Sequence, residues 1–104
     1  MGAPFLSGEE TMDSAVQNEQ SFHRFAVHVG EATAMLAYKQ EGDTIYLVHT
    51  EVPASMEGQG IGGKLAKAGL DYARENSLKV VARCPFVASY VQRHPEYSDL
   101  VVPD

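Results

Sequence analysis

Residues 57–65 read Glu-Gly-Gln-Gly-Ile-Gly-Gly-Lys-Leu, and glycine fills four of the six positions from 58 to 63. A backbone without Cβ atoms lets N–H groups converge on a ligand, and a helix start adds partial positive charge. That is the chemistry of holding a phosphate or diphosphate. Two familiar patterns overlap in the stretch. Gly58, Gly60 and Gly63 spell G-x-G-x-x-G, the dinucleotide fingerprint, while Gly58, Gly63 and Lys64 spell most of a P-loop. The P-loop needs Ser or Thr after its lysine to ligate magnesium, and position 65 is leucine. It also needs an aspartate ending a neighbouring apolar strand, which 78–84 lacks. The dinucleotide pattern needs its glycines directly after a strand and an acid about 20 residues on, at the end of the next strand. Here residues 53–57 intervene, and the next strand ends in Arg83 and Cys84. Neither pattern holds as a whole, so what is left is the phosphate chemistry common to both.

Other residues could do chemistry. His49 and Glu51 are two apart on an extended segment, so they share a face. Cys84 is the only cysteine and can form no internal disulfide. It precedes Pro85, which fits the first turn of a helix, and a thiol there has its thiolate stabilised by backbone dipoles. The four histidines show no zinc spacing, and no metal is expected.

The elements that must position these residues are legible in the pattern. Residues 22–29 alternate, with Phe25, Val27 and Val29 on one face and Arg24 and His28 on the other. Gly30 and Glu31 turn the chain into a second strand, where Ala34, Leu36 and Tyr38 share a face. Gly42 marks a hairpin into a third strand, 44–52, apolar enough to lie centrally. After the glycine loop, Ile61, Leu65, Ala68 and Tyr72 recur at helical spacing, with Lys64, Lys67, Asp71, Arg74 and Glu75 opposite. Residues 78–84 read as a fourth strand, parallel to the third because a loop and helix connect them, and 85–94 as a second helix. The expected fold is a compact α/β (α+β) domain, a three-strand antiparallel meander followed by loop, helix, parallel strand and helix. Residues 1–20 show little periodicity and read as a flexible tail, leaving 21–104 as the domain.

A chain of 104 residues is one small domain. Its net charge of −6, with acids spread along the chain and no basic stripe, argues against nucleic acid as partner. No apolar run reaches the length of a spanning helix, and residues 1–10 lack a secretory pattern. A reduced, cytoplasmic location is expected, as a monomer or weak homodimer paired through an exposed edge strand.

Residues 52–65 resemble the acetyl-CoA loop of the GNAT superfamily of acetyltransferases, whose signature is Q/R-x-x-G-x-G/A at the start of a helix after a central strand. Gly60 and Gly62 fill the glycine positions, and Glu57 stands where Gln or Arg is usual. With His-Thr-Glu-Val-Pro at 49–53 and the stretch 84–97, the likeness extends to the short, single-domain, Yjdj-type branch over about residues 22–100. The resemblance implies an acetyl-CoA-dependent N-acetyltransferase acting on an unidentified amine. Glu51 and Val52 would run beside the pantetheine arm. Glu57, Gly58, Gln59, Gly60, Ile61, Gly62, Gly63 and Lys64 would wrap the pyrophosphate. His49 or Glu51 would serve as base, and Tyr90 would protonate the leaving thiolate. Cys84 could take the acetyl group covalently before passing it on. The alternative is a non-catalytic module that binds or senses acyl-CoA, which the acid at position 57 and the short substrate half favour.

Overall fold

The computed structural model describes residues 16–104. Strand β1 is Gln17–Glu19, β2 Arg24–Val29, β3 Ala32–Glu41, β4 Thr44–Glu51 and β5 Lys79–Ala82, with helices α1 Ile61–Glu75 and α2 Pro85–Arg93. They form one five-stranded sheet in the order β1-β2-β3-β4-β5. Pairing is antiparallel through β4 and parallel between β4 and β5. Gly30 and Gly42 make the two hairpin turns at φ +59°, a conformation that suits glycine. The expected meander, crossover helix and parallel strand are all present.

Of the tail expected over 1–20, residues 1–15 lie outside the described residues. Gln17–Glu19 is instead a paired edge strand, continued by a 3-10 turn over Gln20–Phe22. Three polar residues carry no alternation signal. The pairing comes from the β2 edge and from side chains, with Glu19 bonded to Arg24 and Asn18 accepting from the Tyr38 hydroxyl.

Helix α1 lies across one face of the sheet. Its buried residues are Ile61, Leu65, Ala66, Gly69, Leu70 and Ala73, while Ala68 and Tyr72, expected in the buried stripe, sit half-exposed on its flank. The sheet decides this, because small residues at 66, 69 and 73 let the helix approach closely. A Cβ at Gly69 would stand 3.3 Å from Leu36 Cδ2 and 3.5 Å from Leu47 Cδ2, so the helix backbone rests directly on these two strand side chains. Phe25, Val27, Leu36, Ile45, Leu47, Leu65 and Leu70 form the middle of the core. Truncating Leu70, fully buried there, would cost about 2–5 kcal/mol. Val29, expected on the buried face, is exposed at the end of β2.

One irregularity governs the site. In the β3–β4 ladder Tyr38 pairs with Leu47, yet Ala37 pairs with His49. Val48 is therefore an extra residue, a β-bulge, which bends the strand and resets its alternation. Ile45 and Leu47 face the helices and are fully buried. Beyond the bulge, His49 and Glu51 point to the opposite face, and Thr50 turns to the helix side beside Leu36.

Candidate active site

Strands β4 and β5 pair from Thr44 and Lys79 to Leu47 and Ala82. The Cys84 N–H then donates to the Leu47 carbonyl at 3.0 Å, and the chain turns into α2. β4 continues past the bulge to Glu51, held on its other edge by β3. The two parallel strands thus splay beyond Leu47. The β4 backbone from 48 to 52 is left with an edge that an extended ligand could pair with.

The chain then builds a cradle. Buried Met56 ends a 3-10 turn over Ala54–Met56 and anchors the loop to the core. Gly58 at φ +83° and Gly60 at φ +73° bend the backbone where other residues would be strained, and Gly60 caps α1. Among the described residues no side chain caps that helix. The Lys64 N–H bonds the Gly60 carbonyl at 3.1 Å, so the N–H groups before it lack intrahelical acceptors. Val52, Glu57, Gly58, Gly60, Ile61, Gly62 and Gly63 line one depression of about 250 Å³, joined by Met56 and Phe86. Gln59 and Lys64 flank it, Gln59 donating to the Ser55 carbonyl at 3.5 Å. Larger hollows lie elsewhere among the described residues. One, of about 800 Å³, lies at the far end of α1 between Tyr38 and Tyr72, and another, of about 440 Å³, lies between Val81 and Val101. Neither contains a helix start, so the smaller one is the candidate.

The side chains expected to act do not gather in one cluster. His49 Nε2 lies 3.0 Å from Glu51 Oε2, both well exposed on the face away from the helices. Cys84 is on the helix side, 3% exposed, its Sγ 3.2 Å from Thr50 Oγ1. Tyr90 is also on the helix side, its ring edge 3.6 Å from where a Gly63 Cβ would be. The Tyr90 ring stacks on His94 at 3.9 Å, and His94 Nδ1 is held 2.9 Å from the Tyr90 carbonyl. Burial raises the Tyr90 pKa, so its phenol is protonated at neutral pH. The splay at the end of β4 is where the two faces meet.

Sequence reasoning missed Thr50, Met56, Phe86 and His94. Phe86 had a signal, an aromatic directly after a helix-starting proline. It is exposed, and its ring would stand 2.9 Å from a Cβ at Gly62. Gly62 is therefore glycine partly to seat this ring. Among the described residues, no group of three or more His, Cys, Asp or Glu is placed to hold a metal ion, and no helix is long and apolar enough to cross a membrane.

The family model described as GCN5-related N-acetyl-transferase matches residues 24–100. This chain belongs to the GCN5-related N-acetyltransferase family. Among its relatives are proteins named NATD1. The one from Homo sapiens is 36% identical over 95 residues, covering 88% of this chain and 84% of that protein. The one from Xenopus tropicalis is 35% identical over 83 residues, covering 77% and 76%. The fold of this GCN5-related chain also matches a GCN5-like protein from Staphylococcus aureus, solved in solution by NMR. The TM-score is 0.68 at 29% identity, covering 88% of this chain and 91% of that one.

Proposed function

We propose that this GCN5-related domain takes an acetyl group from acetyl-CoA and transfers it to an amine. The observation that carries the reading is the uncapped start of α1, set directly beyond the splayed end of β4. The N–H groups from Gly58 to Gly63 suit a pyrophosphate, since they cost nothing to reorganise and carry the helix dipole. Lys64, exposed in the first turn, adds a cation. The free edge of β4 from 48 to 52 suits the amide-rich pantetheine arm, and a backbone N–H there can polarise the thioester carbonyl.

On the opposite face, His49 and Glu51 accept a proton from the incoming amine. The hydrogen bond between them orients the imidazole. Tyr90, kept neutral by burial, supplies a proton to the leaving sulfur. Cys84 offers a covalent route, with Thr50 orienting the thiol. Its burial favours direct attack by the amine as the main path. The second reading, a non-catalytic acyl-CoA-binding module, draws support from the Glu57 carboxylate and the Phe86 ring on the rim of the cradle. We place the domain in the cytoplasm, as a monomer or weak homodimer.

A thermal-shift screen against acetyl-CoA, CoA, NAD and ATP tests the ligand. A compound at 100 times its Kd adds about 2.7 kcal/mol to the native state. Stabilisation by NAD or ATP and not by CoA overturns the reading. Release of CoA thiol on adding amines then separates the enzyme from the binding module.

A further inference from the structure

We infer that the acceptor is a short ω-amino acid, its amine set at His49 and Glu51 and its carboxylate on Arg24. This rests on the acetyl-transfer reading and names the second substrate of that reaction. Directly paired residues of neighbouring strands share a face. Glu19 pairs with Arg24, Arg24 with Ala37 and Ala37 with His49. Ala26 pairs with Met35 and Met35 with Glu51. His28 pairs with Thr33. All lie on the face turned away from α1, because the intervening Phe25 and Leu36 face the helix. One surface therefore carries the proposed base pair at one side and a cation at the other.

That cation is held in place. Arg24 Nε donates to Glu19 Oε1 at 2.7 Å, and the guanidinium carbon lies 5.0 Å from the centre of the Phe22 ring. Glu19 Oε2 is 2.6 Å from His28 Nε2, and His28 Nδ1 is 3.0 Å from Thr33 Oγ1. Each member orients the next, which is how a recognition group is kept rigid. Nη1 lies 4.0 Å from Met35 Sδ, so the guanidinium reaches β3, and Met35 is the direct partner of Glu51. Arg24 on β2 and His49 on β4 are two strands apart, so the two ends of the site are about 10 Å apart at the backbone. The surface between them is Met35 and Ala37, apolar and half-buried, which a short carbon chain can cross.

A guanidinium fork recognises carboxylates through paired N–H groups. Glu19 takes Nε, and a simple amine would make no use of Nη1 and Nη2. In the reaction the amine nitrogen forms the N–C bond and the C–S bond breaks with its electrons on sulfur. The acceptor ammonium gives up two protons, one through His49 and Glu51 to water and one to the departing thiolate. The products are an N-acetylamino acid and CoA.

Matched acceptors test this. 4-Aminobutyrate is compared with butylamine, and 5-aminopentanoate with pentylamine, by CoA release from acetyl-CoA. The acid of each pair should have about tenfold or more higher kcat/KM. Arg24→Gln should erase that preference through KM, Arg24→Lys should restore part of it, and CoA affinity should stay unchanged. Equal kcat/KM within both pairs, or a preference that survives Arg24→Gln, overturns the inference. As a second measurement, the ¹³C-methyl signal of Met35 in the CoA complex should shift with 4-aminobutyrate and not with butylamine. This reads the site even where Arg24→Gln fails to fold or turnover is too slow to follow. A Met35 signal that responds to neither compound, or to both alike, overturns it too. Failure to bind CoA at all would instead overturn the acetyl-transfer reading.

Discussion

The Thr50 hydroxyl lies 3.2 Å from the Cys84 sulfur, joining the bulged end of β4 to the start of α2 across the splay. The contact exists because Val48 resets the strand, turning Thr50 toward the helix side. A thiol at a helix start is suited to react, yet this one is 3% exposed. Cys84 should therefore alkylate slowly with iodoacetamide near pH 7. Thr50→Ala, which removes the partner and opens space, should raise that rate. Bound CoA should lower it in both proteins. Rapid alkylation of the unaltered protein would favour the covalent route, and absence of protection by CoA would remove Cys84 from the site.

Gly60→Val should abolish CoA binding. Gly60 caps α1 at φ +73°, and a β-branched residue there is strained by about 1–3 kcal/mol. An ideal Cβ at this position meets nothing within 4 Å, so the loss is conformational, not a clash. Circular dichroism should report a folded protein with a lower Tm, and calorimetry should report no CoA binding. Unchanged affinity would refute the cradle.

Gly62→Ala should behave differently. The added methyl would press on Phe86 Cζ at 2.9 Å, and this exposed ring can swing away. CoA affinity should change with the ring, so Phe86→Ala combined with Gly62→Ala should fold as well as Phe86→Ala alone. A double variant less stable than either single change would show that the fit of Gly62 involves more than the ring.

Glu57→Arg should tighten CoA binding. Glu57 is exposed on the rim of the cradle, where an anion opposes pyrophosphate. The gain should be about 0.5–1 kcal/mol and should shrink as salt is added. Weaker binding by titration calorimetry would mean that the carboxylate itself contacts the ligand.

Stability should fall with acid through Asp71. Burial alone would raise its pKa, but hydrogen bonds from Lys67 and Tyr97 outweigh burial and hold it below the usual value. Its contribution is full above the unfolded carboxylate pKa and is lost as pH falls through the lower folded pKa. Tyr97→Phe removes the 2.6 Å bond to Asp71 and should cost about 1 kcal/mol at neutral pH. The penalty should shrink in acid. An equal penalty at pH 3 and pH 7 by urea unfolding would sink the assignment.

Sequence alone settled whatever depends on neighbours along the chain. The alternation of 24–29 and 32–41, the turns at Gly30 and Gly42, the helix after the loop and the glycine cradle are all local. They follow from backbone freedom and from two-residue or three-to-four-residue periods. Pro85 placed the start of α2, and the separation of His49 and Glu51 by two placed them on one face. Which face was a tertiary matter. The bulge at Val48 arises from pairing with β3, and nothing in the string from 44 to 51 marks it. The same holds for β1, whose three polar residues become a strand only because β2 offers an edge. The buried stripe of α1 moved onto Ala66, Gly69 and Ala73 because the sheet rewards close approach, which small side chains permit and hydropathy does not register. Thr50 and Cys84 meet 34 positions apart, and Arg24 reaches Met35 across a strand. Such contacts are set by strand register and helix packing, both products of the whole core.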